Sequence, residues 1–94
     1  MVFDRVLHRM REAIRERRYV MTLHAEEEMH ADELTIYDIE RCILTGHVVE
    51  RQRDRETAES KYVLQGKTLT GDDAVIAAKF GPTGKLVILT VYAL

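Results

Sequence analysis

Ninety-four residues, 46% of them apolar and 32% charged, suffice for one domain with a single modest core, since a chain of this length buries roughly 60 to 70% of its unfolded surface. The longest apolar run, Leu86 to Leu94, is far too short to span a bilayer, and no basic, hydrophobic leader opens the chain, so a cytoplasmic protein without membrane association is expected. The net charge of −2 divides into +3 over residues 1–18 (six arginines, three acids), −6 over 19–46 (one arginine, seven acids) and +1 over 47–94 (seven basic, six acidic), which leaves only the first segment and the last as nucleic-acid contacts.

In chain order, Phe3, Val6, Leu7, Met10, Ala13 and Ile14 recur at helical spacing with arginines on the remaining face. This predicts an amphipathic first helix, and a solvated face accounts for its arginines without a ligand. Aromatic and β-branched residues predict a short strand from Tyr19 to Leu23. His24 opens a second helix, HAEEEMHADEL, on which His24, Glu28 and Asp32 form a polar stripe beside Ala25 and Met29. Thr35 reads as the N-cap of a third helix, with Asp38 three residues on, Leu34 placed to staple against Ile39, and a buried face of Ile36, Ile39 and Ile43. Gly46 reads as its left-handed stop. Cys42 on this helix reads as a small, half-buried residue, and a lone cysteine forms no internal disulfide.

After Gly46 the apolar period becomes two. His47 to Gln52, Ser60 to Gly66, Ala74 to Phe80 and Leu86 to Ala93 read as four strands, antiparallel because their links are short. Gly66 reads as a bulge, while Gly71-Asp72-Asp73 and Gly81 to Gly84 read as turns. No glycine loop suits a phosphate, so no nucleotide cofactor is expected. The last two strands are apolar on both faces, with Leu86 and Ile88 alternating with Val87, Leu89 and Val91. Either the N-terminal helix or another chain covers the second face, and a homo-oligomer is expected.

Thr22, His24 and Ala25 at a helix start, then Met29, Leu34-Thr35 with Asp38, Gly46, Tyr62-Val63 with Gly66, the turn from Thr68 to Gly71, and Thr90 with Tyr92 are spread over roughly residues 19 to 93. In order and spacing they resemble a bacterial domain-of-unknown-function family, numbered 4258, grouped with RelE/ParE-like toxins. The resemblance implies an α+β fold, with N-terminal helices packed on a twisted four- to five-stranded antiparallel sheet. It also implies a toxin that cuts messenger RNA or acts on gyrase, held inactive by an antitoxin peptide around the sheet. Arginines are implied where this chain has Glu28 and Asp32.

Three side chains are candidates for chemistry. His24 has Glu28 one turn later to orient it as an acid or base, although capping the helix or tying it to the sheet is the simpler role. Tyr92, on a face with Thr90, corresponds to the C-terminal strand residues that in the toxin relatives position a 2′-hydroxyl and stabilise phosphate charge. That chemistry needs a cation beside the tyrosine, for which Lys79 is the first candidate and Lys61 or Arg51 the alternatives. A tyrosine packed on a sheet accounts for Tyr92 without a ligand. His24 with Glu28, and Glu26 with His30, are two-ligand pairs that lack a third, so no metal and no other cofactor is expected. Three functions stay open: an RNA-cleaving toxin, a non-catalytic protein-binding module on the same scaffold, and a small hydrolase-like site at His24 and Glu28.

Overall fold

The computed structural model describes residues 2–94; Met1, the first residue of the expected 1–94 domain, lies outside the described residues. The elements run α1 (Asp4–Arg15), β1 (Tyr19–Met21), α2 (Leu23–Ala31), α3 (Ile36–Thr45), β2 (His47–Arg53), β3 (Ser60–Lys67), β4 (Asp73–Phe80) and β5 (Leu86–Ala93). The strands form one five-stranded sheet in the order β1-β5-β4-β3-β2. It is mixed and not, as expected, antiparallel throughout. The hairpins from β2 to β5 enforce antiparallel pairing, but β1 joins the edge through no hairpin and lies parallel to β5, with Tyr19 opposite Leu86 and Met21 opposite Ile88.

All three helices pack on one face. Met10, Ala13 and Ile14 of α1, Ala25 and Met29 of α2, and Ile39, Cys42 and Ile43 of α3 share a core with Leu64, Ile76, Leu86, Ile88 and Val91 of the sheet. The N-terminal helix therefore does not cover the second face, which stays bare. A bulge in β5 decides which side chains lie there. Ala78 pairs with Ile88 but Ala77 with Thr90, so Leu89 is the extra residue. Simple alternation would put Val91 with Val87; the extra residue instead turns Val91 into the core, at 0% exposure, and sends Thr90 and Tyr92 to the open face.

The glycines act differently from the reading by sequence. Gly46 has φ −92°, extended and not left-handed. A Cβ there would meet the Cys42 carbonyl oxygen at 2.6 Å and the Gly66 Cα at 2.8 Å. Gly66 is no bulge: it pairs in register with Ala74, and its Cβ would strike the Cys42 backbone. The pair lets the end of α3 lie directly on β3. The left-handed stops belong to Arg17 (φ 57°) and Glu33 (φ 58°). After α1, Arg17 N donates to Ile14 O and Arg18 N to Ala13 O; after α2, Glu33 N donates to His30 O and Leu34 N to Met29 O. Both are Schellman closures made without glycine.

The third helix starts as expected. The Thr35 hydroxyl accepts from Asp38 N, and Asp38 Oδ2 accepts from Thr35 N at 2.8 Å. Asp38 Oδ1 also accepts from Leu69 N at 3.0 Å, fastening the turn before β4. The Thr35 amide, ahead of the opposing effect of burial, holds this carboxyl below its usual range, and the Leu69 amide adds to it. At the other end, Arg11 of α1 reaches across to donate to Ile43 O at 3.2 Å and Gly46 O at 2.6 Å, supplying the cation that α3 lacks in its last turn. Cys42 is fully and not half buried; its thiol donates to Ala74 O, and burial pushes its pKa up to about 11.

Candidate functional site

The acidic stripe of α2 is bound to the sheet. β1 ends at Met21, so the part of β5 beyond Ile88 has no neighbouring strand on that side. Helix α2 lies along this gap. Thr22 N donates to Ile88 O, and the Thr22 hydroxyl donates to Leu89 O and caps the helix by accepting from Ala25 N. One and two turns later, Glu28 Oε1 accepts from Val91 N at 3.2 Å and Asp32 Oδ2 from Ala93 N at 2.7 Å. The two carboxylates take the place of the carbonyls a further strand would offer. The polar stripe read from sequence is thus tied to the sheet through these two members.

His24 is therefore neither the cap nor the tie; Thr22 is both. Its side chain is 68% exposed, and its one contact is Nε2 to Glu28 Oε1 at 3.1 Å. That oxygen also accepts from Val91 N, so Glu28 is shared between the imidazole and the strand edge.

A different constellation lies on the open face. Alternation along the strands sends Lys61 and Val63 of β3, Val75, Ala77 and Lys79 of β4, and Val87, Thr90 and Tyr92 of β5 to this side. A cleft of about 290 Å3 runs between the β2–β3 loop and the strands, lined by Gln52, Arg53 and Asp54 at one wall, Glu59, Ser60 and Lys61 at the next, and Lys79 and Leu89 at its floor. Lys79 Nζ donates to Glu59 Oε2 at 3.0 Å. The loop that carries Glu59 is built on Asp54, whose Oδ1 accepts from Glu56 N at 2.8 Å and Thr57 N at 3.1 Å. Those two amides, Thr57 first, hold its carboxyl below the ordinary range. Asp54 N and O close the loop against Glu59 and Ala58. The cleft thus joins three cations to two carboxylates, Asp54, which accepts from its own loop's amides, and Glu59, which is in contact with Lys79.

Of the three candidate residues, only Lys79 is in this cleft. Tyr92 shares its face, but the register separates them: Lys79 is opposite Val87 and Tyr92 opposite Val75, four residues along β4, or roughly 13 Å. The expected pairing of lysine and tyrosine is not formed. Tyr92 stands 43% exposed on the open face. Arg51, an alternative cation, faces the helices, since its partner Tyr62 packs against the core. Sequence singles out none of Glu59, Ser60 and Gln52, since Gln52 and Ser60 read as the ends of two strands and Glu59 as part of the link between them; Asp54 followed by Thr57 is the turn signal that announces the loop's shape but not its chemistry. Tyr19 is also perturbed. Burial and its hydrogen bond to Glu40 push it up to about 12, on the far side of the sheet from the cleft.

No group of three or more His, Cys, Asp or Glu side chains is placed to hold a metal ion among the described residues. No helix among them is long and apolar enough to cross a membrane. The model of one family, Domain of unknown function (DUF4258), matches residues 21–93. No curated protein and no solved structure matches the chain.

Proposed function

The chain belongs to the DUF4258 family, which fixes no reaction, and we propose from its own surface that it is an RNA-cleaving toxin of RelE/ParE-like build, with Glu59, Lys61 and Lys79 as the working groups. The observation that carries this reading is the cleft itself, with its cations and a carboxylate on the sheet face that no helix covers. Glu59 accepts the proton of a 2′-hydroxyl. The 2′-oxygen bonds to phosphorus, the bond from phosphorus to the 5′-oxygen breaks, and the Lys79 ammonium gives that oxygen its proton. Lys61 and Arg53 stabilise the charge that builds on the non-bridging oxygens. A cyclic 2′,3′-phosphate and a 5′-hydroxyl result. Induced expression without any partner should slow growth and shorten transcripts. Normal growth with intact RNA rejects the proposal.

A second reading rests on the apolar side chains of the open face. Val20, paired with Val87, is 44% exposed and Tyr92, paired with Val75, is 43% exposed, at two places on the same open face. A protein-binding module would cover this face with another chain, either a second copy or an antitoxin-like peptide. Light scattering at several concentrations, with and without co-expressed neighbours, separates the two. A monomer under every condition removes this reading.

A further inference from the structure

A second cleft, of about 250 Å3, opens on the other side of the sheet where α1 meets β2 and β3, and Arg5, Arg9 and Arg51 line it with Phe3 and Tyr62. Two other arginines are engaged, Arg11 with the carbonyls that end α3 and Arg18 with Glu16. These three make no ion pair among the described residues. Arg9 lies over the Phe80 ring, 4.1 Å from its centroid, which holds the guanidinium at the cleft wall. Arg5 is one turn from Arg9 on α1, and Arg51 comes from β2. Three arginines line the cleft without a carboxylate among the lining residues, a local excess of positive charge that favours an anion. The rings of Phe3 and Tyr62, edge to face at 6.3 Å, add apolar, aromatic surface to the cleft. Guanidinium forks beside aromatic rings fit a phosphate carrying a base.

The position of β2 shows how this cleft relates to the first. It is the free edge of the sheet, and residues 49–53 are exposed along it. Arg51 lines the arginine cleft, while the next two residues, Gln52 and Arg53, line the cleft of Lys61 and Lys79. We infer that a single strand of RNA passes round the β2 edge, one phosphate held by Arg5, Arg9 and Arg51 with its base against Phe3 and Tyr62, and the adjoining segment in the open-face cleft. This rests on the reading of the open-face cleft as an RNA site and extends that site to the helical side.

An uncleavable 2′-O-methyl RNA of about 12 nucleotides, titrated into the whole chain and followed by fluorescence anisotropy at several salt concentrations, tests the path. Arg5→Gln combined with Arg51→Gln should weaken binding at least tenfold with unchanged circular dichroism. The slope of log affinity against log salt should flatten by about 0.7, the value of the one phosphate contact that these arginines share. Arg9 and its ring contact stay intact in that variant, so a folding defect does not mimic the result. Affinity and slope equal to wild type overturn the inference, even if wild type cleaves ordinary RNA. Weakened binding by the double variant, with no cleavage of ordinary RNA by wild type, upholds the arginine site and removes only the catalytic reading. Binding of a nucleoside monophosphate that depends on the arginines, without binding of the oligonucleotide, overturns the strand path.

Discussion

Two groups of carboxylates sit beside the same sheet and are used differently. At the β5 edge, Glu28 and Asp32 accept from the Val91 and Ala93 amides, which have no strand to bond. On the open face, Glu59 meets no orphan amide, because β3 and β4 are paired on both sides; it meets a lysine. A carboxylate beside an unpaired strand edge is claimed by the backbone, since an amide without a strand partner gains a charge-assisted hydrogen bond there. A carboxylate over a fully paired sheet is left for side chains and ligands. The stripe that looks most like a site in the sequence is thus architecture, and the plainer charged loop supplies the cleft.

That contrast is broken or sharpened by four tests of decreasing effect. Gly66→Ala places a Cβ against the Cys42 backbone, at 2.9 Å from its carbonyl carbon and 3.0 Å from Sγ, where the helical side has no slack. It should cost about 3 kcal/mol in urea unfolding, at the upper end for overpacking. A fully stable variant would mean that α3 lifts freely from the sheet.

Next is the double change Glu28→Ala with Asp32→Ala, which should lower stability by about 2 kcal/mol and speed hydrogen exchange at Val91 and Ala93, whereas Glu59→Ala should stay within about 0.5 kcal/mol. Equal losses at the two places would erase the distinction between edge and cleft.

Asp38 gives a pH signature. Its carboxyl is depressed by the Thr35 and Leu69 amides, so its contribution is present above the unfolded carboxylate value of about 4 and is lost as pH falls through the lower folded one. Wild type should lose stability on acidification through that window, and Asp38→Asn should lose about 1 kcal/mol at neutral pH and show a shallower acid decline. Parallel acid profiles for the two proteins would deny Asp38 that part.

The smallest effect has the opposite sign. Glu33, at φ 58°, pays for a Cβ in the left-handed region, so Glu33→Gly should stabilise the chain by about 0.5–1 kcal/mol, seen as a raised urea midpoint. A lowered midpoint would show that the Glu33 side chain contributes more than its backbone strain removes.

How much was legible follows from what each signal depends on. The three helices, the four later strands and the Thr35–Asp38 cap are local patterns, and they stand where periodicity and capping residues put them. The parallel pairing of β1 is not local, because nothing between Met21 and Leu86 encodes the direction in which two distant segments meet. The bulge at Leu89 is equally silent in the sequence, yet it exchanges the faces of Val91 and Tyr92. Gly46 misled because glycine after a helix signals a left-handed stop, while here it answers to a backbone contact from Gly66; Arg17 and Glu33, which do adopt that conformation, carry no such signal. His24 drew attention as a titratable group at a helix start, but Thr22 had already taken the cap. Lys79 was recognised and Glu59 was not, since their contact joins residues 20 apart across a loop.

The separation of chemistry from architecture is tested most directly by assaying RNA cleavage and urea stability together on Lys79→Ala and on the Glu28→Ala, Asp32→Ala pair. Lys79→Ala should lower cleavage by about two orders of magnitude, the scale of a lost acid or charge-stabilising group, with stability within about 0.5 kcal/mol of wild type. The double variant should do the reverse, losing stability while its folded fraction cleaves at the wild-type rate. Full cleavage by Lys79→Ala, or its abolition in the folded double variant, would contradict the account.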